Sequence, residues 1–488
     1  MNAPAGAPRV AIIGSGFSGI SAAIALRKKG IEDFTIFEKA PALGGTWFYN
    51  RYPGAEVDLE SHIYSFSFER YDWSGIYVDW KELLGYLNHV AAKWDLPRRI
   101  RFNEKVEDVT WSDTDHTWTL TTASGEQHGP FTAVISAVGF LNIPLVPPFA
   151  REEHDFKGIV CHTSRWPEGA DMTGKAVGVV GTGSSAVQIV TEAERVGKSV
   201  KIFQIEPNWI LPKGSRAFTP TERRLNKLRP VYAYRRAKLY LGYDLRQIRS
   251  AHARSDGWAN KKRRRISEEF LQRELASRPD LLKLATPEFP YEGRRTVLSD
   301  TYYRALLSPK VTLVPHAVKG LTSKGAIDAN GEEHELDMIV LATGFDAANY
   351  LGNYQVHGRG GVELHDEWRG EPEAYLGMMV PKFPNFFIMY GPNTNSVPLV
   401  SFYETQAEFA ASLIRRAAKE RRSDIEVRRS AFVVYNEWLQ EQLAKTVWGG
   451  TRNYFQAGTG RVVSQWPFGV TPYRLLAKLT RRIAIRLS

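Results

Sequence analysis

One cysteine, Cys161, stands among 488 residues. That scarcity excludes an internal disulfide framework, a cysteine-based metal site and a redox-active cysteine pair, and it suits a reducing cytosol. Long hydrophobic runs are also missing. No stretch approaches the roughly 18 apolar residues that a membrane helix needs. Met1 to Pro8 lacks a positive region followed by an apolar one, so no secretory signal is read and the expected localisation is cytoplasmic. Acidic residues are the scarcer charge, with 53 Asp+Glu against 64 Lys+Arg. The excess sits in residues 215–285, which hold 19 Lys+Arg and 7 Asp+Glu, while the rest of the chain is near neutral. The densest run, Lys261-Lys262-Arg263-Arg264-Arg265, precedes Glu268, Glu269 and Glu274 at helical spacing, so a solvated helix face is favoured over a nucleic-acid or membrane patch. Hydrophobic residues make up 43% of the chain and charged ones 24%, a globular balance. At about 150 residues per domain, three ordinary domains or two large ones are expected.

What is present is a duplicated pattern. Val10 to Ile13 reads as a buried strand and leads straight into Gly14-Ser15-Gly16-Phe17-Ser18-Gly19. A helical stretch to about Lys29 and a strand ending at Glu38 complete a βαβ unit. Val177 to Val180 leads likewise into Gly181-Thr182-Gly183-Ser184-Ser185-Ala186, a helix to about Arg195 and a strand from Val200 to Gln204. The fold class is therefore α/β with two Rossmann-like dinucleotide-binding domains. The chemistry explains the spacing: Gly14 permits the tight turn, Gly16 admits a pyrophosphate, and Gly19 lets helix and strand pack closely. The helix N-terminus offers free N–H groups to the phosphate. Glu38 suits both hydroxyls of an unphosphorylated ribose, as in FAD or NAD. Two purely structural strand–turn–helix units are the bland alternative, and the acid at the second strand end weighs against it. Two dinucleotide sites imply electron transfer, most simply between a nicotinamide nucleotide and FAD. A disulfide reductase shares that layout but needs a cysteine pair.

Between the two folds lies Phe156-Lys157-Gly158-Ile159-Val160-Cys161-His162-Thr163-Ser164-Arg165-Trp166-Pro167. It resembles F-x-G-x-x-x-H-x-x-x-W-P, the signature of type I Baeyer–Villiger monooxygenases, a class B flavin monooxygenase family. Gly44-Gly45-Thr46-Trp47 through Tyr52-Pro53-Gly54 to Asp58 resembles a second family element. Ala342-Thr343-Gly344-Phe345, Phe383-Pro384-Asn385-Phe386 and Tyr390-Gly391-Pro392-Asn393-Thr394 follow in the family's order. The resemblance implies that NADPH reduces FAD, that O2 adds at the flavin C4a position, and that the resulting peroxyflavin inserts one oxygen into a ketone to give an ester or lactone. It also implies a catalytic arginine, here Arg295 in Arg294-Arg295 to Tyr302-Tyr303, oriented by Asp58. An always-charged guanidinium suits the anionic reacting oxygen.

Carried onto this sequence, the resemblance gives the FAD site Gly14, Gly16, Ser18, Gly19, Glu38, Gly45, Thr46, Trp47, Asp58, Tyr64, Val106, Asn393 and Leu399. The NAD(P) site takes Gly181, Thr182, Gly183, Ser184, Ser185, Gln188, Arg294 and Arg295. Phe156, Gly158, His162, Trp166 and Pro167 form the family motif, with a role in coupling domain movement to cofactor state. No metal is expected. The FAD domain is read as residues 1–143 and 346–488, with the NAD(P) domain, 144–345, inserted between them and carrying a helical insertion at 215–285. In that insertion Leu225, Leu228, Tyr232, Tyr234 and Leu239 make an apolar stripe, read as plain core in preference to a wall of the substrate entrance. Three departures stand out. The family's arginine after the second-fold strand is replaced in Gln204-Ile205-Glu206, so NADH is not excluded beside NADPH. Asn453-Tyr454-Phe455 replaces a tryptophan-bearing loop, and Asn395 to Leu399 departs from the usual sequence. The expected partners are O2 and a small, lipophilic ketone. Oxidation of sulfur or nitrogen by the same cofactors is the alternative, against which Trp166-Pro167 argues. A flavin-containing sensor or nucleic-acid binder ranks third.

Overall fold

The computed structural model describes residues 7–451 and 453–488. Residues 1–6, with which the expected FAD domain begins and to which most of the Met1–Pro8 signal reading refers, lie outside that range. Two five-stranded parallel sheets carry the molecule. The first runs in the order Phe386–Ile388, Ala133–Ser136, Val10–Ile13, Phe34–Glu38, Ile100–Phe102. Its central strand is buried along its whole length, as a strand covered on both faces must be, which is why Val10-Ala11-Ile12-Ile13 carries no polar residue. The helix Phe17–Lys28 is buried from Phe17 to Leu26 and packs on the long helix Leu399–Glu420. A strand from residue 386 onward thus completes a sheet that starts at residue 10.

The second sheet runs Val311–Val314, Ser199–Phe203, Ala176–Val180, Met338–Leu341, Ile159–His162. Its central strand feeds the second glycine turn and the helix Ser184–Val196. The chain passes between the two sheets twice, and the crossings lie side by side. Pro144 bridges Phe345, Leu145 N donates to Gly344 O at 2.9 Å, and Asp346 N donates to Ile143 O at 2.9 Å. Cys161 is buried in the second core, where it packs as a small apolar residue.

Residues 215–285 are helical over Pro220–Asn226, Arg229–Gln247, Trp258–Leu275 and Pro279–Leu284. The solvated-face expectation for the basic run holds for Arg264 and Arg265, which pair with Glu268 and Glu269 at 2.8 and 3.2 Å. Arg263 departs from it: its Nε reaches the buried Tyr291 hydroxyl at 3.3 Å. The apolar stripe is also not plain core. Tyr232 is buried, but Leu225, Leu228 and Tyr234 are exposed, because periodicity marks a face without saying what covers it. No helix among the described residues is long and apolar enough to cross a membrane.

Candidate active site

Both glycine turns end in helices that lack a capping side chain and an acid in the first turn. Their first N–H groups therefore remain available to a phosphate. The turns are built alike. Gly14 has φ +103° and Gly181 φ +116°, and a Cβ on either would fall 2.6–2.7 Å from the carbonyl of Ala137 or Ala342, just past the end of the neighbouring strand. A Cβ on Gly19 would lie 1.9 Å from Gly14 O, so only glycine lets that helix sit against its strand. Gly183 differs: nothing in the protein would meet its Cβ. The open space beside it is where a pyrophosphate would approach the backbone. Glu38, 4% exposed, accepts from Ser15 N at 2.9 Å, Ser15 Oγ at 2.7 Å and Ala40 N at 2.9 Å. These bonds fix the carboxylate at the turn, and its remaining lone pairs can still serve a ribose.

A cavity of about 300 Å³ runs from this turn across to the second fold. Its wall includes Gly14, Gly16, Ser18, Glu38, Gly45, Thr46, Trp47, Asp58, Tyr64, Val106 and Leu399 from the expected FAD set. Ser184, Ser185, Gln188 and Arg295 join them from the expected NAD(P) set. Gly16 and Gly45 face each other so closely that a Cβ on Gly45 would stand 2.9 Å from Gly16 Cα. The Trp47 indole donates to Tyr64 Oη at 3.1 Å, which braces the wall. Tyr52 ties the two folds together, with its hydroxyl at 3.1 Å from Ser185 Oγ and 2.7 Å from Gln188 Oε1.

Arg295 Nη2 donates to Asp58 Oδ2 within this cavity. Asp58 lies in an irregular stretch rather than at a helix start, so it is not a helix cap. The carboxylate beside it holds the Arg295 guanidinium pKa above its usual value, against the opposing effect of burial. Its side chain is still 43% open, toward the cavity. Tyr390, Tyr454 and Glu292 lie within electrostatic reach of the guanidinium. Arg295 thus presents a guanidinium held in place by Asp58 to a partly apolar chamber walled also by Phe140, Tyr390 and Tyr403.

The family motif stands behind this chamber. His162 Nε2 lies 3.0 Å from Gly344 O, which can only accept, so that nitrogen carries the proton. His162 Nδ1 in turn accepts from Ser164 N at 3.1 Å. The ring is therefore neutral, and burial lowers its pKa to about 4. It packs edge-on against Phe345, which lines the cavity. A Cβ on Gly158 would fall 2.3 Å from Asp337 O, Phe156 is buried beside it, and the Trp166 indole donates to Ala170 O at 3.2 Å just before Pro167. None of these five motif residues lines the cavity.

Other expected residues also lie off its wall. Asn393 is fully buried and donates from Nδ2 to Val462 O at 2.8 Å. Gly181, Thr182 and Gly183 form the second turn, where Thr182 Oγ1 donates to Glu206 O at 2.7 Å. Arg294 Nη2 is ion-paired with Glu206 Oε2, so the cation of the expected NAD(P) set that could meet a 2′-phosphate already faces a carboxylate. Ile205 beside it is exposed. Several wall residues stand outside the expected site sets: Lys39, Lys105 and Asn353, together with Arg165, Tyr390 and Asn395, which lie within the quoted sequence elements. Arg165 sits inside the quoted motif and lies over the Tyr49 ring at 4.6 Å, so its signal was in plain view. Lys213 gave no sequence signal. Its side chain is 2% exposed and its Nζ lies 2.6 Å from Glu56 Oε1, on the wall.

The family model described as pyridine nucleotide-disulphide oxidoreductase matches residues 11–256, a stretch that contains both glycine turns but only one cysteine. A Baeyer–Villiger monooxygenase of Pseudomonas aeruginosa is 35% identical over 480 residues, covering 96% of this chain and 89% of that protein. The chain belongs to the Baeyer–Villiger flavin monooxygenase family. Among solved structures, an oxidised steroid monooxygenase bound to NADP is similar to this family member with a TM-score of 0.88 at 29% identity, over 98% of this chain and 99% of that one. A phenazine N-monooxygenase of Lysobacter antibioticus is 30% identical to it over 487 residues, 91% of this chain and 89% of that protein.

Proposed function

We propose that this flavin-dependent monooxygenase uses FAD and NADPH to insert one oxygen atom of O2 into a small, lipophilic ketone, giving an ester or lactone. The observation that carries this reading is the Arg295–Asp58 pair on the wall of one cavity that reaches both nucleotide folds. Bound FAD supplies the acceptance of electrons from NADPH and the activation of O2. The chain's own residues do the rest. The uncapped helix start at Phe17 takes the FAD pyrophosphate, Gly16 and Gly45 put no side chain in its way, and Glu38 holds the ribose. Gly183 and the start of the helix at Ser184 offer the nicotinamide nucleotide the same kind of cradle. Arg295 presents N–H donors to the negative charge that develops at the reacting oxygen, and Asp58 fixes their direction. Phe140, Leu399 and Tyr403 keep the chamber dry enough that this charge is not quenched by water. His162 joins the motif to Phe345 and the domain crossing, a positioning role.

The paired crossings at 143–145 and 344–346 support domain boundaries at 143/144 and 345/346, and the lone buried cysteine supports a cytoplasmic setting. Nitrogen oxidation is the second reading, favoured by the phenazine N-monooxygenase relative. Offering a cyclic ketone, a thioether and a nitrogen heteroaromatic side by side separates the two. Ester or lactone formation from the ketone supports oxygen insertion, and oxide formation alone replaces it.

A further inference from the structure

The helix Val470–Ala484 contains four cations and no acid. On its surface the side chains come in pairs repeated every four residues: Arg474 and Leu475, Lys478 and Leu479, Arg482 and Ile483. Spacing of four keeps each row on one face, so a row of three cations runs beside a row of three aliphatic side chains. Leu475, Leu479 and Ile483 are 53–76% exposed, well beyond what a scattered surface leucine needs. Lys478, Arg481 and Arg482 have no acidic partner among the described residues, whereas Arg474 has only Glu404, at 3.8 Å.

A second stripe adjoins the first. The helix Arg229–Gln247 meets the start of Val470–Ala484 through Tyr240 Oη and Thr471 Oγ1 at 3.0 Å, and Asp244 accepts from Val470 N at 2.9 Å. Leu241 and Leu245 each directly follow one of these seam residues, and with Ile248 they are 53–58% exposed. Asp244, the one acid of that helix, is consumed by the seam. The same helix is tied to segments that flank the wall residues Asp58, Tyr64 and Leu399: Arg236 Nη1 donates to His62 O at 2.7 Å, Tyr243 Oη to Glu60 Oε2 at 2.7 Å, and Gln247 Nε2 to Val397 O at 2.7 Å.

From this juxtaposition of exposed aliphatic rows with unpaired cations, we infer that the two helices form a docking surface for an anionic lipid bilayer. The helices lie on the membrane rather than cross it. Aliphatic side chains enter the headgroup boundary, and the adjacent cations meet lipid phosphates and carboxylates. A second copy of the chain fits poorly, since a symmetric contact would bring the same cationic row against itself. Nucleic acid would use the cations but leave the aliphatic rows in water. The surface stands apart from the oxygen-insertion reading, though it would place the cavity beside a reservoir of lipophilic molecules.

Flotation of the FAD-loaded protein with vesicles tests this without any turnover. With vesicles of phosphatidylcholine plus phosphatidylserine, the protein floats at low salt and is released as salt rises. Replacing Lys478→Glu and Arg482→Glu together weakens binding by at least about fivefold per cation, and Leu479→Gln with Ile483→Gln abolishes it. FAD content and thermal midpoint of both variants stay at the parent values, since the four side chains are exposed. Four results would each overturn the inference: no flotation, equal flotation on pure phosphatidylcholine, flotation unchanged in both variants, or DNA binding that the cation variant loses while vesicles are ignored. So would sedimentation showing a parent dimer that the Leu479/Ile483 variant converts to monomer, because the face would then belong to a second copy.

Discussion

Glu206→Gln is expected to improve the use of NADPH and to weaken NADH slightly. In the structure Glu206 holds Arg294 at the end of the second-fold strand, where the adenosine ribose of a nicotinamide nucleotide would lie. A doubly charged 2′-phosphate placed about 5 Å from the carboxylate feels a repulsion of roughly 1.7 kcal/mol in water, and physiological salt reduces it to about 1. Releasing Arg294 adds a charge-assisted hydrogen bond. Because the Arg294 and Glu206 side chains are 35% and 47% exposed, only about 1 kcal/mol of its full worth is expected. The two effects together make about 2 kcal/mol, close to thirtyfold in NADPH affinity. For NADH the acceptor facing the 2′-hydroxyl changes from a carboxylate to a neutral amide oxygen, and binding should weaken a few-fold. Anaerobic titration of flavin reduction with each nucleotide reads both numbers. NADPH affinity unchanged in the variant, or an equal gain for NADH, would mean that Glu206 is not at the ribose.

Ile205→Arg should tighten NADPH by about 1–3 kcal/mol and leave NADH nearly unchanged, by the same titration. Arg295→Ala should keep FAD and its reduction by NADPH while losing ester formation; normal product yield would remove Arg295 from the chemistry. Gly16→Val should give colourless protein, whereas Gly183→Val, whose side chain meets open space, should stay yellow but reduce slowly; the reverse pattern would swap the two sites. Acid should destabilise the fold through His162. Its pKa is about 4 when folded against an ordinary 6.5, so below 6.5 the unfolded chain binds a proton that the folded chain refuses. Stability is then complete above that pH and falls as pH drops toward 4, by on the order of 3 kcal/mol, and His162→Gln should flatten this part of the thermal profile.

The glycine turns were legible because their constraint is local: a tight turn, a close approach and a helix start lie within six residues. The Arg295–Asp58 pair, 237 positions apart, was reached only through the family resemblance. Lys213 and Glu56 had no such guide, and nothing in either neighbourhood announces their contact. The three-residue strand Phe386–Ile388 is too short to show a period, yet it closes the first sheet. Leu225, Leu228 and Tyr234 carried the right spacing and the wrong inference, since an apolar stripe on a helix looks the same whether protein or something else covers it. Arg294 and Glu206 were each noted in the sequence, but their pairing depends on a loop meeting a strand end, which spacing cannot show.

The central claim is oxygen insertion by this site. Its most direct test is to supply the purified, FAD-loaded protein with NADPH, a cyclic ketone and isotopically heavy O2, and to take the mass of the product. The account predicts a lactone carrying one heavy oxygen, formed by the parent and absent with Arg295→Ala. NADPH consumption with the heavy atoms recovered only in peroxide or water, whatever ketone is offered, would contradict it.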